Sequence, residues 1–263
     1  MTMFDFENGR GPLPAHQHPN GLGWVADTAQ VADTVYLGPD AKVYENAQVS
    51  GDAWVSGHAR VYGSARVSGR SKVGGHATVS GGTRVSGDAW VYGNAQVSGQ
   101  AWVYGNSRVY GQARMYGDAQ VSGYARVCGQ AWVCGVAWVC GQSRVDGDAR
   151  VDGNATVSGE ARVEGDAWVS GQARVYGQAW VDGQAHVFGS ARVSGQARVS
   201  GDAWLSGETR VYGSALVSGQ VRVYGRSRVS GQVRMYGDAR VCGRAHVSGD
   251  ARFGWEGERH DHV

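Results

Sequence analysis

The sequence predicts an all-β chain wound into a triangular parallel β-helix, and three observations carry that prediction. An apolar anchor recurs at every sixth residue from Val25 to Phe253 without a break. A small residue usually stands two places before the anchor, as Ala53 before Val55 and Ala131 before Val133. A glycine stands two places after every anchor from Gly51 to Gly249. A fixed period marks a repeat architecture, in which each unit buries its apolar face only by stacking on its neighbours. The 43 glycines in 263 residues are therefore punctuation of a regular structure, not low-complexity sequence.

Each element follows from the repeat. In Ala53-Trp54-Val55-Ser56, small and apolar residues alternate with outward ones, which is the period of a strand. Gly57 and His58 then make a corner, where glycine supplies the positive φ a tight turn needs. Three strands and three corners close one coil, and successive coils stack as parallel strands about 4.8 Å apart. The repeat gives roughly thirteen coils and a rod about 60 Å long. The core is a set of valine columns facing small partners such as Ala59, Ser71, Thr83, Ser107 and Val221, so a solid interior is expected. Its buried hydroxyls need partners, which backbone carbonyls supply.

The ends are read as caps, because an open coil exposes strand edges. Residues 1–24 form an N-terminal cap or tail, 25–253 the helix, and 254–263 a C-terminal cap or tail. Asp27, Asp33, Pro39 and Glu45 stand where later coils carry the corner glycine, so the first coils are irregular. Met3, Phe4 and Phe6 are expected to fold over the first coil, and Phe253 and Trp255 to plug the last.

Bulk composition excludes more than it assigns. Lys and Arg total 25 against 23 Asp and Glu, so net charge demands no polyanionic or membrane partner. The N-terminal stretch MTMFDFENGR has acids and no apolar core, and no apolar run approaches a membrane span. A cytoplasmic location is expected. Cys128, Cys134 and Cys140 are six apart and fall on three faces, all pointing outward, so they neither pair nor converge on a metal. Together with Cys242 they read as free thiols.

Residues eighteen apart share a column, which turns the sequence into a surface. One face carries Arg114, Trp132, Arg150, Trp168, His186 and Trp204 in order, an alternation suited to cation–π contact. Nine of the ten tryptophans point outward in this register, and so many outward rings suggest an oligomer or partner interface, with Trp132, Trp168, Trp204, Arg150 and His186 as its candidates. The plainer alternative is that rings and arginine stems blanket the sheet and pack on each other. A second face carries Arg174, Arg192, Arg210 and Arg228, flanked by Tyr176 and Tyr212, with no acidic column beside them. These six residues are the candidates for binding a ligand or partner, including a nucleotide or nucleic acid. The third face carries Arg108, Arg126, Arg144 and Arg162 beside Asp146, Glu164 and Asp182, which reads as structural pairing.

The pattern of aliphatic anchor, two variable residues and small residue resembles the hexapeptide-repeat proteins, over almost the whole chain. That resemblance implies left-handed coils, against the usual right-handed crossover rule, and homotrimers with parallel axes. The PAHQHPNGLGWVADTAQV opening and the unbroken VxGxA units are most similar to all-repeat members from bacteria and their phages. The family's acyltransferases carry a loop that breaks out of the helix and a catalytic histidine. No such insertion interrupts Val25 to Phe253, so no catalytic residue and no cofactor are assigned. The family's γ-type carbonic anhydrases bind zinc through three histidines. His58 and His76 stack at one corner as weak metal candidates, but Asn94 follows them in the column. His16-Gln17-His18 and His260-Asp261-His262 could bind metal only with their own tails or between molecules.

Three functions follow. The first is a non-enzymatic structural or interaction rod that self-associates or docks a protein through Trp, Tyr and Arg faces. The second is a binder of a nucleotide, nucleic acid or host defence factor on the arginine ladder. The third is an acyltransferase or carbonic anhydrase-like enzyme.

Overall fold

Within each compact unit, outward residues and their anchors pair in register with the residues one turn on, Lys42 with Arg60 and Val43 with Val61 for example, so the eighteen-residue turn governs the fold. The computed structural model describes residues 2–254, all of whose regular elements are strands. It is a parallel β-solenoid, divided into two compact units, Met1–Gly147 and Asp148–Val263. The first unit carries three ladders of seven two- or three-residue parallel strands, beginning at Trp24–Ala26. The second carries three ladders of six, from Arg150–Val151 to Arg252–Phe253.

Alternation decides which side chains enter each unit. Anchors such as Val55, Val91 and Val193 and small partners such as Ala59, Ala95 and Ala191 have no solvent exposure. Buried hydroxyls donate back to the strand three residues earlier: Ser71 to the carbonyl of Ser68 at 2.8 Å, and Thr83 to that of Ser80 at 2.6 Å. Ser107, Ser143 and Ser227 do the same. The Thr209 hydroxyl is the exception, buried with no partner among the described residues.

Corner glycines hold φ between +60° and +85°. The early corners solve the problem differently. Asp27, Asp33 and Pro39 sit in four-residue turns closed by N–H···O bonds of 2.8–2.9 Å, such as Val35 to Ala32. Glu45 takes the glycine conformation itself, at φ +59°, and its carboxylate accepts the N–H of Gly63 at 2.9 Å.

At the start of the first unit, Thr2–Phe4 and Leu13–Gln17 form an antiparallel pair that continues antiparallel onto Trp24–Ala26. Residues 20–23 cover another strand edge, with Gly23 donating to the carbonyl of Leu37 and Leu37 to that of Asn20, both at 2.9 Å. The sequence expectation for this segment needs correction. Phe4 stacks on Trp24 at 4.1 Å and Phe6 lies 5.1 Å from Tyr44, so the rings cover the outer face of a ladder instead of closing over the coil. Met3 is 55% exposed and covers nothing. Glu7 pins the arrangement through Lys42 at 3.2 Å and Arg60 at 2.6 Å.

At the end of the second unit, Phe253 is 43% exposed and plugs nothing among the described residues. Ala245, an inward position by register, is also exposed. Trp255 and His260-Asp261-His262 lie outside the described residues.

Candidate functional site

The second unit brings three of the expected interface residues into contact. Its first ladder runs Arg150, Trp168, His186, Trp204, Arg222 in strand register. The His186 ring lies 5.5 Å from Trp168, edge to face, and 5.4 Å from Trp204, stacked. Phe188 meets Trp204 edge-on at 5.4 Å, and the Arg222 guanidinium sits 6.0 Å over the same ring. Trp168 donates its indole N–H to Asp152 at 3.0 Å. Trp204 remains 46% exposed, and beside it lies a cleft of about 260 Å³ lined by Phe188, Trp204, Ser206, Arg222, Tyr224 and Arg240. The sequence reading missed Phe188 and Tyr224, although both stand one place after an anchor on this ladder and could have been found by the same column arithmetic.

Trp132 lies in the first unit, with Arg114 over its ring at 5.2 Å and Tyr116 edge-on at 6.1 Å. The blanket of rings and stems is real elsewhere too. Lys72 and Arg108 sandwich Trp90 at 4.7 and 4.9 Å, and Arg162 and Arg198 sandwich Trp180 at 5.8 and 5.0 Å. Each such contact is worth about 0.5–1 kcal/mol at an exposed site. Trp90 and Trp180 are covered on both ring faces in this way, whereas Trp54, Trp102, Trp138, Trp168 and Trp204 remain exposed.

The arginine ladder forms as a continuous register: Arg174 pairs with Arg192, Arg192 with Arg210 and Arg210 with Arg228. All four are exposed, as are Tyr176 and Tyr212. The ladder ends in a cleft of about 240 Å³ lined by Arg226, Arg228, Arg244 and His246.

The third face pairs charges in part. Arg144 bridges Asp146, which also accepts the Gly147 N–H at 2.8 Å. Burial alone would raise the Asp146 carboxyl. The Gly147 N–H, the Cys128 thiol and Arg144 outweigh it and hold the carboxyl below its ordinary range. Asp182 goes the other way: burial raises it, only partly offset by Arg198.

The four cysteines are free thiols, but an outward position does not leave Cys128 exposed. Cys128 is buried, with its sulfur 3.7 Å from the Val145 carbonyl. Its column is an outward one, but Tyr110 and Asp146, one turn to either side, close over it. Hydrogen bonding to Cys128, followed by burial, pushes the Tyr110 phenol up to about 12. Burial pushes the Cys128 and Cys140 thiols up as well. Cys134 and Cys140 are partly exposed and Cys242 is exposed.

The described histidines are not brought together in a metal-binding group. His58 and His76 stack at 4.8 Å on a corner and share a cleft of about 400 Å³ with Glu7, Asp40, Lys42 and Arg60. Among the described residues no group of three or more His, Cys, Asp or Glu is placed to hold a metal ion. The His16-Gln17-His18 motif is split because the strand ends at Gln17 and His18 turns inward beyond it. His16 bonds Asp27 at 3.0 Å, while His18 is buried, donating Nε2–H to the Ala32 carbonyl at 3.2 Å. Among the described residues no helix is long and apolar enough to cross a membrane.

A family model described as the YdcK beta solenoid repeat matches residues 53–69 and 191–207. Each matched stretch spans about one turn, one in each unit, and the second includes Arg192 and Trp204. No curated protein matches the chain. The matched repeat and the strand register agree on a β-solenoid repeat protein.

Proposed function

We propose that this chain is a non-catalytic interaction scaffold that assembles with further copies of itself through the aromatic ladder of its second unit. The observation that carries this reading is the Trp168–His186–Trp204 stack with the cleft beside it. The His186 ring meets Trp168 edge to face and stacks on Trp204, and both tryptophans remain partly exposed. A partly exposed aromatic column next to an apolar notch and flanked by arginines has the composition of an interface core. The filled interior supports the same reading, because anchors and small partners leave the exposed faces to carry the function. The hexapeptide-repeat resemblance favours a trimer with parallel axes and left-handed coils. A protein of different sequence is the other occupant this face would suit.

The test is chemical cross-linking of the chain beside a Trp168→Glu/Trp204→Glu double variant. The expected result is cross-linked oligomers for the unmodified chain and monomers for the variant. Identical ladders from both would exclude this face as the interface.

A further inference from the structure

We propose that the second unit binds single-stranded nucleic acid along the Arg174–Arg228 ladder, with a base entering a missing rung between Tyr176 and Tyr212. This surface is a different ladder from the aromatic one, and the inference does not depend on self-association.

The cationic strip is the first support. Arg174, Arg192, Arg210 and Arg228 repeat at about 4.8 Å, and His246 continues their register. Among the described residues none of the four forms an ion pair. The rim carboxylates are partly engaged: Glu208 holds Arg226 at 3.3 Å, and Glu160 accepts from Gln178 at 3.0 Å. Asp250 stands at the far end. Four like charges in line, with a cleft of Arg226, Arg228, Arg244 and His246 at one end, form a track for a linear polyanion.

The column beside the arginines distinguishes which polyanion. It reads Tyr176, Ser194, Tyr212, Ser230. At the equivalent position on other ladders, rings from adjacent turns stack directly: Tyr44 on Tyr62 at 4.8 Å and Tyr92 on Tyr110 at 5.1 Å, nearly parallel. Planar rings therefore repeat at the turn spacing without distortion. On the arginine ladder Ser194 breaks the column. Tyr176 and Tyr212 stand two turns apart, about 10 Å, 40% and 37% exposed, with only a hydroxymethyl group on the rung between them. One planar ring placed over Ser194 would keep the spacing the tyrosine pairs keep, and Arg192 stands on the same strand to meet its phosphate. A charged groove that follows the backbone, with aromatic platforms for unpaired bases, is the recognition mode of sequence-tolerant single-strand binders. A duplex keeps its bases stacked and cannot fill the rung. An acidic peptide would use the arginines and leave it empty.

The experiment is fluorescence anisotropy of the full chain with a labelled oligothymidylate of about 12 nucleotides. An abasic strand of equal length, the matching duplex and thymidine monophosphate are the comparisons. Four neutralised phosphates on a single strand predict a log–log salt slope of about −3. Ser194→Tyr fills the rung without changing charge. It is expected to weaken oligothymidylate about tenfold, the scale of one lost base stack, and to leave the abasic strand unchanged. Arg192→Glu/Arg210→Glu is expected to abolish binding of both strands, with circular dichroism confirming that each variant folds. The proposal is overturned by any of four results: no binding at low salt, equal affinity for abasic strand and oligothymidylate, no effect of Ser194→Tyr, or monophosphate or duplex binding as tightly as the strand.

Discussion

Replacing Gly201 by alanine tests why a glycine recurs at each corner from Gly51 to Gly249. Gly201 holds φ +66°, and a Cβ added there would lie 2.8 Å from the backbone nitrogen of Gly219 and 3.1 Å from its oxygen. The left-handed conformation alone costs about 1–2 kcal/mol for a residue with a Cβ. Glu45, at φ +59°, shows that this much is sustainable. The contact with Gly219 is additional, because backbone cannot rotate away as a side chain can. The turns must separate, stretching flanking ladder bonds such as Ser200 to Val217 and Trp204 to Val221, both 2.8 Å. Overpacking of this kind costs about 1–3 kcal/mol, giving a total near 3 kcal/mol. Gly243 is the internal control: its φ is +69°, yet a Cβ there meets nothing within 4 Å. Gly243→Ala should lose only the conformational part, about 1 kcal/mol. Urea unfolding followed by circular dichroism measures both. Equal losses in the two variants would refute turn-to-turn contact as the reason for the glycine column.

Three further outcomes follow from particular side chains. Thr209→Val removes a buried hydroxyl that has no partner and should stabilise the second unit by about 1 kcal/mol; Thr83→Val removes a bonded hydroxyl and should not, as thermal melts would show. In timed alkylation read by mass spectrometry, Cys242 should react first and Cys128 last, and a Cys128 as fast as Cys242 would contradict its burial. The two aspartates should show opposite pH behaviour. Asp146 has a lowered folded pKa, so its stabilisation is present above the ordinary carboxylate range and is lost as pH falls through the folded value. The melting advantage of the parent over Asp146→Asn should therefore shrink as pH falls through and below the ordinary carboxylate range. Asp182 has a raised folded pKa, so ionising it opposes folding, and Asp182→Asn should raise the melting temperature at neutral pH but not at low pH.

The solenoid was legible because six-residue periodicity is itself the physical constraint. Once Val25 and Val43 share a column, every outward residue is placed, and the arginine ladder and the Trp168–His186–Trp204 column follow by counting. Direction, however, is not burial. Cys128 points outward as its register requires, yet Tyr110 and Asp146 close over it, because column neighbours approach to strand spacing. The opening segment has no period, so nothing in it says whether Phe4 and Phe6 meet the coil's end or its side. The outward rings of Trp24 and Tyr44 decide that, and their availability shows only after both segments are placed. The division after Gly147 leaves no trace in the sequence either, since the repeat passes through it unchanged.

The most direct test of the interaction-scaffold reading is the solution mass of the unmodified chain by sedimentation equilibrium across micromolar concentrations. The account predicts a species about three times the 27.8 kDa chain mass, reduced to the monomer by Trp168→Glu/Trp204→Glu. A single 27.8 kDa species at every concentration would contradict self-association through the aromatic ladder.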